Sequence, residues 1–370
     1  MEKKKQKKLK IKNFVILGII LVLVILAIIF YKPVSSKIKL RLKGYSSEAA
    51  SIIYDNDMTD KVLENDFNEF ISKLVTNEDF NFKHIDNYYK INYIDRGSFL
   101  KQVNALLDKK YSNSDIDIIE KINNDTMYEY LVENKIDDIA EYSKVEIFKP
   151  DRISRYVANE KDTYDETVLY VNMDRDKEFF DNPNVISKYS VDMIVNKHNK
   201  LEETFEPSLV KLDKCVGSDD EEHYLTKEAK EAYDKMCDAI TNDGLHLGVT
   251  SSYRSYQDQV DTYNYYLYNN GQNYVDKYVA VPGYSEHQTG LALDVKSTVS
   301  SPFKTTNEFN WMMDNSYKYG FVLRYPEEKL DIMGYNYESW HYRYVGIEAA
   351  KVMHEKGLIY EEYYALYIDK

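Results

Sequence analysis

The sequence predicts an α+β domain at the C-terminal end of a chain that starts with one membrane-length helix and continues through a mostly helical arm. Three observations carry this reading: an uncharged apolar run over residues 14–31, a charged, Tyr-rich stretch over 38–188 with few Pro or Gly, and short strand-like and helical patterns from about 189 onward. The chain's 370 residues suit an anchor and two folded regions, since single domains commonly hold about 100–200 residues.

At 1.5 Å per residue the run 14–31 would extend about 27 Å as a helix, close to a bilayer's hydrocarbon thickness. Seven lysines against Glu2 in residues 1–13 give a local charge of +6, so the rest of the chain carries −20 against an overall −14. Lysines directly before the run predict a cytoplasmic tail (1–13), a transmembrane anchor (14–31) and an extracytoplasmic remainder. A cleaved signal peptide is the alternative, with Val34-Ser35-Ser36 as a passable site, but the run exceeds the roughly 7–15 apolar residues of a signal core. The negative remainder repels phosphates and excludes nucleic acid as a partner. Cys215 and Cys237 are the two cysteines, too few for a disulfide scaffold or a Cys-based zinc knuckle; one disulfide or two core thiols both fit.

Within the arm, Leu42-Lys43-Gly44-Tyr45-Ser46 followed by Ile52-Ile53 returns as residues 107–112 followed by Ile118-Ile119, and Phe82-Lys83 returns as Phe148-Lys149. Two helical copies of about 66 residues are expected, acting as a spacer or as a packing extension. A boundary is expected near 185–192. Beyond it, Met193-Ile194-Val195 reads as a short strand, and 228–241 has helical spacing through Ala229, Ala232, Tyr233, Met236 and Ile240. The run 247–250 reads as a buried strand, 257–269 as a helix, and 291–296 and 340–345 as alternating strands. The C-terminal domain is thus 189–370.

Three clusters combine reactive side chains with turn residues. In Ser252-Tyr253-Arg254-Ser255-Tyr256-Gln257-Asp258-Gln259, an Arg at a strand end and a Gln one turn into a helix can face one cleft. Arg suits a carboxylate or an oxyanion because its fork of donors stays charged. In Ser285-Glu286-His287-Gln288-Thr289-Gly290-Leu291-Ala292-Leu293-Asp294-Val295, alternation turns Asp294 away from the apolar face of Leu291, Leu293 and Val295. Gly290 lets the chain turn so that His287 folds back toward Asp294. Glu338-Ser339-Trp340-His341 supplies a second His beside a Glu. Taken singly, each has a plainer reading: a surface Arg, a His bonded to a strand Asp, a solvated Glu. Together, His287, Asp294 and His341 meet the three-ligand count of a catalytic zinc site, and Glu338 is a spare carboxylate to take a proton from water. His198, His223, His246 and His354 are expected to be packed or solvated.

The order Ser252-x-Arg254, Gln259, Ser285-x-His287 with Thr289-Gly290-x-Ala292-x-Asp294, and Glu338-x-Trp340-His341 closely resembles the VanY-type D-alanyl-D-alanine carboxypeptidases over about residues 190–350. The resemblance implies Zn2+ held by His287, Asp294 and His341, with Glu338 as general base. It implies that Arg254, Gln259 and Ser285 bind the substrate's terminal residue, Arg254 also facing the developing oxyanion, while Trp340 packs beside the metal at the substrate-binding edge. The implied substrate is a peptidoglycan stem peptide losing its C-terminal D-alanine. Enzymes of the family that cut an L-to-D bond, or open cross-links, are alternatives set by pocket width, and an inactive wall-binding scaffold is a rival of another class. Tyr-rich inserts at 263–279 and 302–333 lie outside the motifs. The sequence is silent on oligomeric state.

Overall fold

The computed structural model describes residues 2–217, 221–298 and 301–369, and side chains from Lys12 onward. The chain divides into two compact units, Met1–Lys144 and Val145–Lys370.

The first unit begins with the helix Glu2–Leu42, whose stretch Lys12–Leu42 is long and apolar enough to cross a membrane. Short helices come next, among them Ser47–Asp55, Phe99–Asp108 and Asn113–Ile122. Ser46 and Ser112 start two of them because each hydroxyl accepts an otherwise orphaned backbone N–H, from Ala49 and Asp115. Phe99–Asp108 buries Phe99, Leu100, Val103, Leu106 and Leu107, a helical stripe.

A hydrogen-bonded motif occurs once in each unit. In the first, Asn81 N donates to the Tyr88 hydroxyl, that hydroxyl bonds Asn104, and the Asn104 amide donates to Asp79 O. In the second, Lys149 N, Tyr156, Asn172 and Ile147 O repeat the set. The spacing within each set is the same, and the offset is 68 residues. This pairs Phe80, not Phe82, with Phe148: Phe80 and Phe148 each pack on the motif tyrosine, at 5.0 and 5.7 Å between ring centroids.

The second unit starts ahead of the composition change near 185–192. Residues 145–188 bond into the remainder of that unit: Arg152 reaches Asp369, Arg175 reaches Asp331, and Phe180 N donates to Lys197 O. Two small pairs come first, β1 (Asn184–Ile186) parallel to β2 (Asn199–Leu201), and β3 (Leu209–Lys211) antiparallel to β4 (Tyr224–Thr226). The main sheet is antiparallel, formed by β5 (Leu247–Ser251), β6 (Ala292–Ser297), β7 (Phe321–Leu323) and β8 (His341–Tyr344) in the order β5-β6-β8-β7. One sheet face is the core: Val249, Leu293, Val295, Phe321 and Tyr342 cluster with Tyr233, Met236 and Ile240 of the helix Lys227–Asn242. The other face carries Asp294, His341 and Arg343. Strands and helices thus form where apolar spacing predicts them, with one correction. Met193-Ile194-Val195 is buried but is not a strand, because Met193 O accepts a hydrogen bond from the Arg343 side chain instead of a neighbouring strand. Cys215 and Cys237 are joined, tying the segment before the helix to its flank.

Candidate active site

The β6–β8 register makes Asp294 and His341 direct cross-strand partners, so their side chains rise from the same face. His287 comes from the 3-10 turn Glu286–Thr289 just before β6, which ends at Gly290 with φ 66°. A side chain there would meet both that strained conformation and the Leu209 Cδ2 atom at 2.8 Å. The turn brings His287 Nε2 to 3.4 Å from Asp294 Oδ2, and His341 Nδ1 lies 3.0 Å from Asp294 Oδ1. The three residues offer ligand atoms within 4.8 Å of one another.

Hydrogen bonds decide which nitrogen of each His faces inward. His287 Nδ1 donates to Ser252 O at 2.6 Å, leaving the Nε2 lone pair toward Asp294. His341 Nε2 lies 3.3 Å from Glu286 Oε2, which places its proton there and turns Nδ1 inward. Asp294 Oδ1 is buried and has no hydrogen-bond partner among the described residues. Two imidazole lone pairs and an orphaned carboxylate oxygen converging in this way form a donor set that fits a divalent cation; ligand lengths of about 2.0–2.2 Å in a tetrahedron separate ligand atoms by about 3.4 Å. Burial alone would raise the Asp294 carboxyl, yet the two imidazoles outweigh it and hold it well below the usual carboxylate range. Burial depresses His287. For His341 burial is outweighed by Asp294 and Glu286, which push it up to about 10.

Glu338 stands beside this set, Oε2 3.8 Å from His341 Nδ1 and 8% exposed. Burial pushes its carboxyl up to about 8. A cavity of about 480 Å³ opens over these residues, with Arg254, Ser285 and Trp340 also in its lining. Trp340 is 39% exposed there. Gln259, though in the lining, has its amide engaged at both ends: the oxygen accepts from Arg254 at 2.7 Å and the nitrogen donates to Ala280 O at 2.7 Å. Arg254 also donates to Ser251 Oγ at 2.9 Å, which leaves its guanidinium held at the cavity wall. The Ser285 hydroxyl accepts from His287 N. His198 packs on Phe179 and His354 stacks on Tyr317, and neither lines the cavity.

A family model described as VanY, D-alanyl-D-alanine carboxypeptidase, matches residues 222–347. The bifunctional D-Ala-D-Ala dipeptidase and carboxypeptidase VanXYC of Enterococcus gallinarum is 33% identical over 46% of this chain and 92% of its own length. The chain belongs to the VanY family. Another relative, the carboxypeptidase YodJ of Bacillus subtilis, described as putative, is 41% identical over 46% of this chain and 66% of its own length. The D-alanyl-D-alanine carboxypeptidase of Enterococcus faecium is 34% identical over 46% of this chain and 56% of its own. The chain thus spans between half and two thirds of these last two relatives. A solved structure of the LdcB LD-carboxypeptidase is 40% identical over 51% of this chain and 92% of that one, with a TM-score of 0.46.

Four residues in and behind this candidate site have no role assigned from the sequence. Glu286 receives Arg324 Nε at 2.8 Å and Arg343 Nη1 at 3.2 Å, and Arg324 is gripped at its far side by both carboxylate oxygens of Glu361. Only Arg343 had a usable signal: strand alternation puts it on the His341 side of β8. The aromatic wall of Tyr266, Tyr274 and Tyr278 comes from the Tyr-rich insert.

Proposed function

We propose that this protein is a zinc-dependent carboxypeptidase that removes the C-terminal D-alanine from peptidoglycan stem peptides. The single observation that carries the proposal is the convergence of His287 Nε2, Asp294 and His341 Nδ1 with Glu338 beside them in one cavity. These three residues would hold the zinc. Zinc, when bound, supplies positive charge that polarises a carbonyl and acidifies water. Glu338 takes the proton from the attacking water on its carboxylate and returns it to the departing amine. The guanidinium of Arg254 receives the terminal carboxylate or the developing oxyanion, and Gln259 serves by fixing Arg254 rather than by offering its own amide. Ser285 secures the His287 turn and faces the terminal residue, and Trp340 forms the exposed rim against which the stem packs. The lysine-flanked helix is read as a single-pass anchor with the N-terminus cytoplasmic and the catalytic unit outside, facing the cell wall.

The test is D-alanine release from a pentapeptide stem, followed by mass spectrometry with zinc quantification, wild type against His341→Ala. Release by the wild type alone, with one zinc per chain, is the expected result. Action on the tetrapeptide only would move the assignment to L,D-cleavage, and wall binding without zinc or release would favour a scaffold.

A further inference from the structure

Behind the candidate metal site lies a layer of buried charge. The side chains of Glu286, Arg324 and Arg343 are 0% exposed and that of Glu361 is 3% exposed. Two carboxylates and two guanidiniums are thus paired in equal number. Its bonds form a chain: His341 Nε2 to Glu286 Oε2, Glu286 Oε1 to Arg324 and Arg343, and Arg324 to Glu361 in a two-point grip at 2.6 and 2.9 Å. Arg343 is in turn anchored on Val191 O and Met193 O, and Glu361 receives the Asn196 amide. Every rotor between His341 and the helix Tyr360–Tyr363 is thereby fixed at both ends.

We propose that Glu286 is a positioning residue that holds His341 with Nδ1 turned toward the metal, and that Arg324 and Glu361 brace it from the C-terminal helix. The inference rests on reading His287, Asp294 and His341 as a metal site. An imidazole can present either nitrogen, and what it presents is decided by the acceptor on its other side. Here that acceptor is an anion, which also makes the ligating nitrogen more basic. A carboxylate with two arginines on one oxygen would swing toward them if nothing opposed their pull, and Glu361 opposes it by drawing Arg324 away. The family-model match covers residues 222–347, so Glu361 lies beyond that model's span.

The experiment measures zinc affinity of the full chain in detergent by competition with a chromophoric chelator, together with the absorption spectrum of the cobalt(II) form and near-ultraviolet circular dichroism to check the fold. Glu286→Gln should bind zinc about 10–100-fold more weakly and shift the cobalt bands, as is usual when the partner of a metal-bound His is lost. Glu361→Gln, which touches no ligand, should weaken binding in the same direction but less. Glu362→Gln, the neighbouring residue paired with Lys329, should change neither reading. A wild type that binds no divalent ion sinks the metal reading itself. A tight wild type matched by a folded Glu286→Gln with the same cobalt spectrum overturns the positioning role alone. Should neither glutamine variant fold, Glu286→Asp keeps the charge balance while withdrawing the carboxylate from Nε2, and unchanged affinity there overturns the role.

Discussion

Asp294 and His341 oppose each other across adjacent antiparallel strands, with Oδ1 and Nδ1 3.0 Å apart and without hydrogen-bond geometry. When His341 is neutral with its proton on Nε2, these are two acceptors that repel unless a cation lies between them, so the sheet itself presses for a metal or a proton at this point. Replacing Asp294 by Asn puts an amide where the anion was. Zinc content should fall from one per chain to a small fraction, and D-alanine release should drop by about 10³-fold, equivalent to several kcal/mol of lost charge stabilisation. Metal analysis after gel filtration, with release assays on the same sample, checks both.

Glu338 is close enough to act on water at the site, yet its separation from His341 Nδ1 is 3.8 Å and it is not needed to complete the ligand set. Glu338→Gln should therefore retain zinc while lowering kcat by about 10²–10⁴-fold, the range for losing a general base. Loss of zinc in this variant would assign Glu338 to the ligands instead.

The pH dependence of metal binding is set by His341. Without a metal, Asp294 and Glu286 overcome burial and keep its imidazolium up to about 10. Coordination needs neutral Nδ1, so binding displaces a proton at any pH below that value. Affinity should rise with pH, by about tenfold per unit for one displaced proton, and level off only when the metal-free site loses the proton by itself. Competition titrations across the neutral range read the slope; a flat line would mean that His341 is already neutral without metal.

How much of this was legible in the sequence depends on what each residue competes with. His287 and His341 stand out because imidazoles are few in this chain and occur beside turn residues, and Asp294 and Glu338 stand out only through their spacing from those two. Glu286, Arg324 and Glu361 do not, because 62 acidic and 48 basic residues make any one charge look solvated. Their burial arises from contacts between residues 37 and 38 positions apart, which no local pattern encodes. Met193-Ile194-Val195 misled for a related reason: apolar spacing reports burial, but the partner for its backbone is an arginine from β8. Gln259, one turn into its helix, faces the same cleft as Arg254 as its spacing predicts, and its amide oxygen accepts from that arginine, a contact that no local pattern encodes.

The disulfide gives a prediction that separates stability from chemistry. Cys215 and Cys237 close a 22-residue separation, which in the chain-entropy account stabilises the fold by about 3 kcal/mol. For a unit of about 200 residues, 1 kcal/mol shifts Tm by about 2–4 °C, so Cys215→Ser with Cys237→Ser should lower Tm by roughly 6–12 °C. Neither cysteine lines the active-site cavity, so zinc stoichiometry at low temperature should not change. Calorimetry with and without reductant measures the first effect and metal analysis the second.

Arg254 offers the sharpest distinction between binding substrate and holding metal. Its guanidinium is partly buried, and the desolvation lowers its pKa, but it remains charged at any working pH because Arg starts so high. Gln259 and Ser251 each take one of its terminal nitrogens, so its orientation is set before any ligand arrives. Lysine in its place would keep the charge and lose the fork, and its ammonium could not satisfy Gln259 and a substrate carboxylate with the same geometry. Arg254→Lys should thus cost about 1.5–3 kcal/mol of transition-state binding, roughly 10–100-fold in kcat/KM. Zinc affinity should stay at the wild-type value, since Arg254 contributes no ligand. A second variant, Gln259→Leu, frees the guanidinium without removing it, and its main effect should be on the same kinetic constant. If Gln259→Leu instead left kcat/KM untouched while Arg254→Lys lowered it, the guanidinium would be held well enough by Ser251 alone.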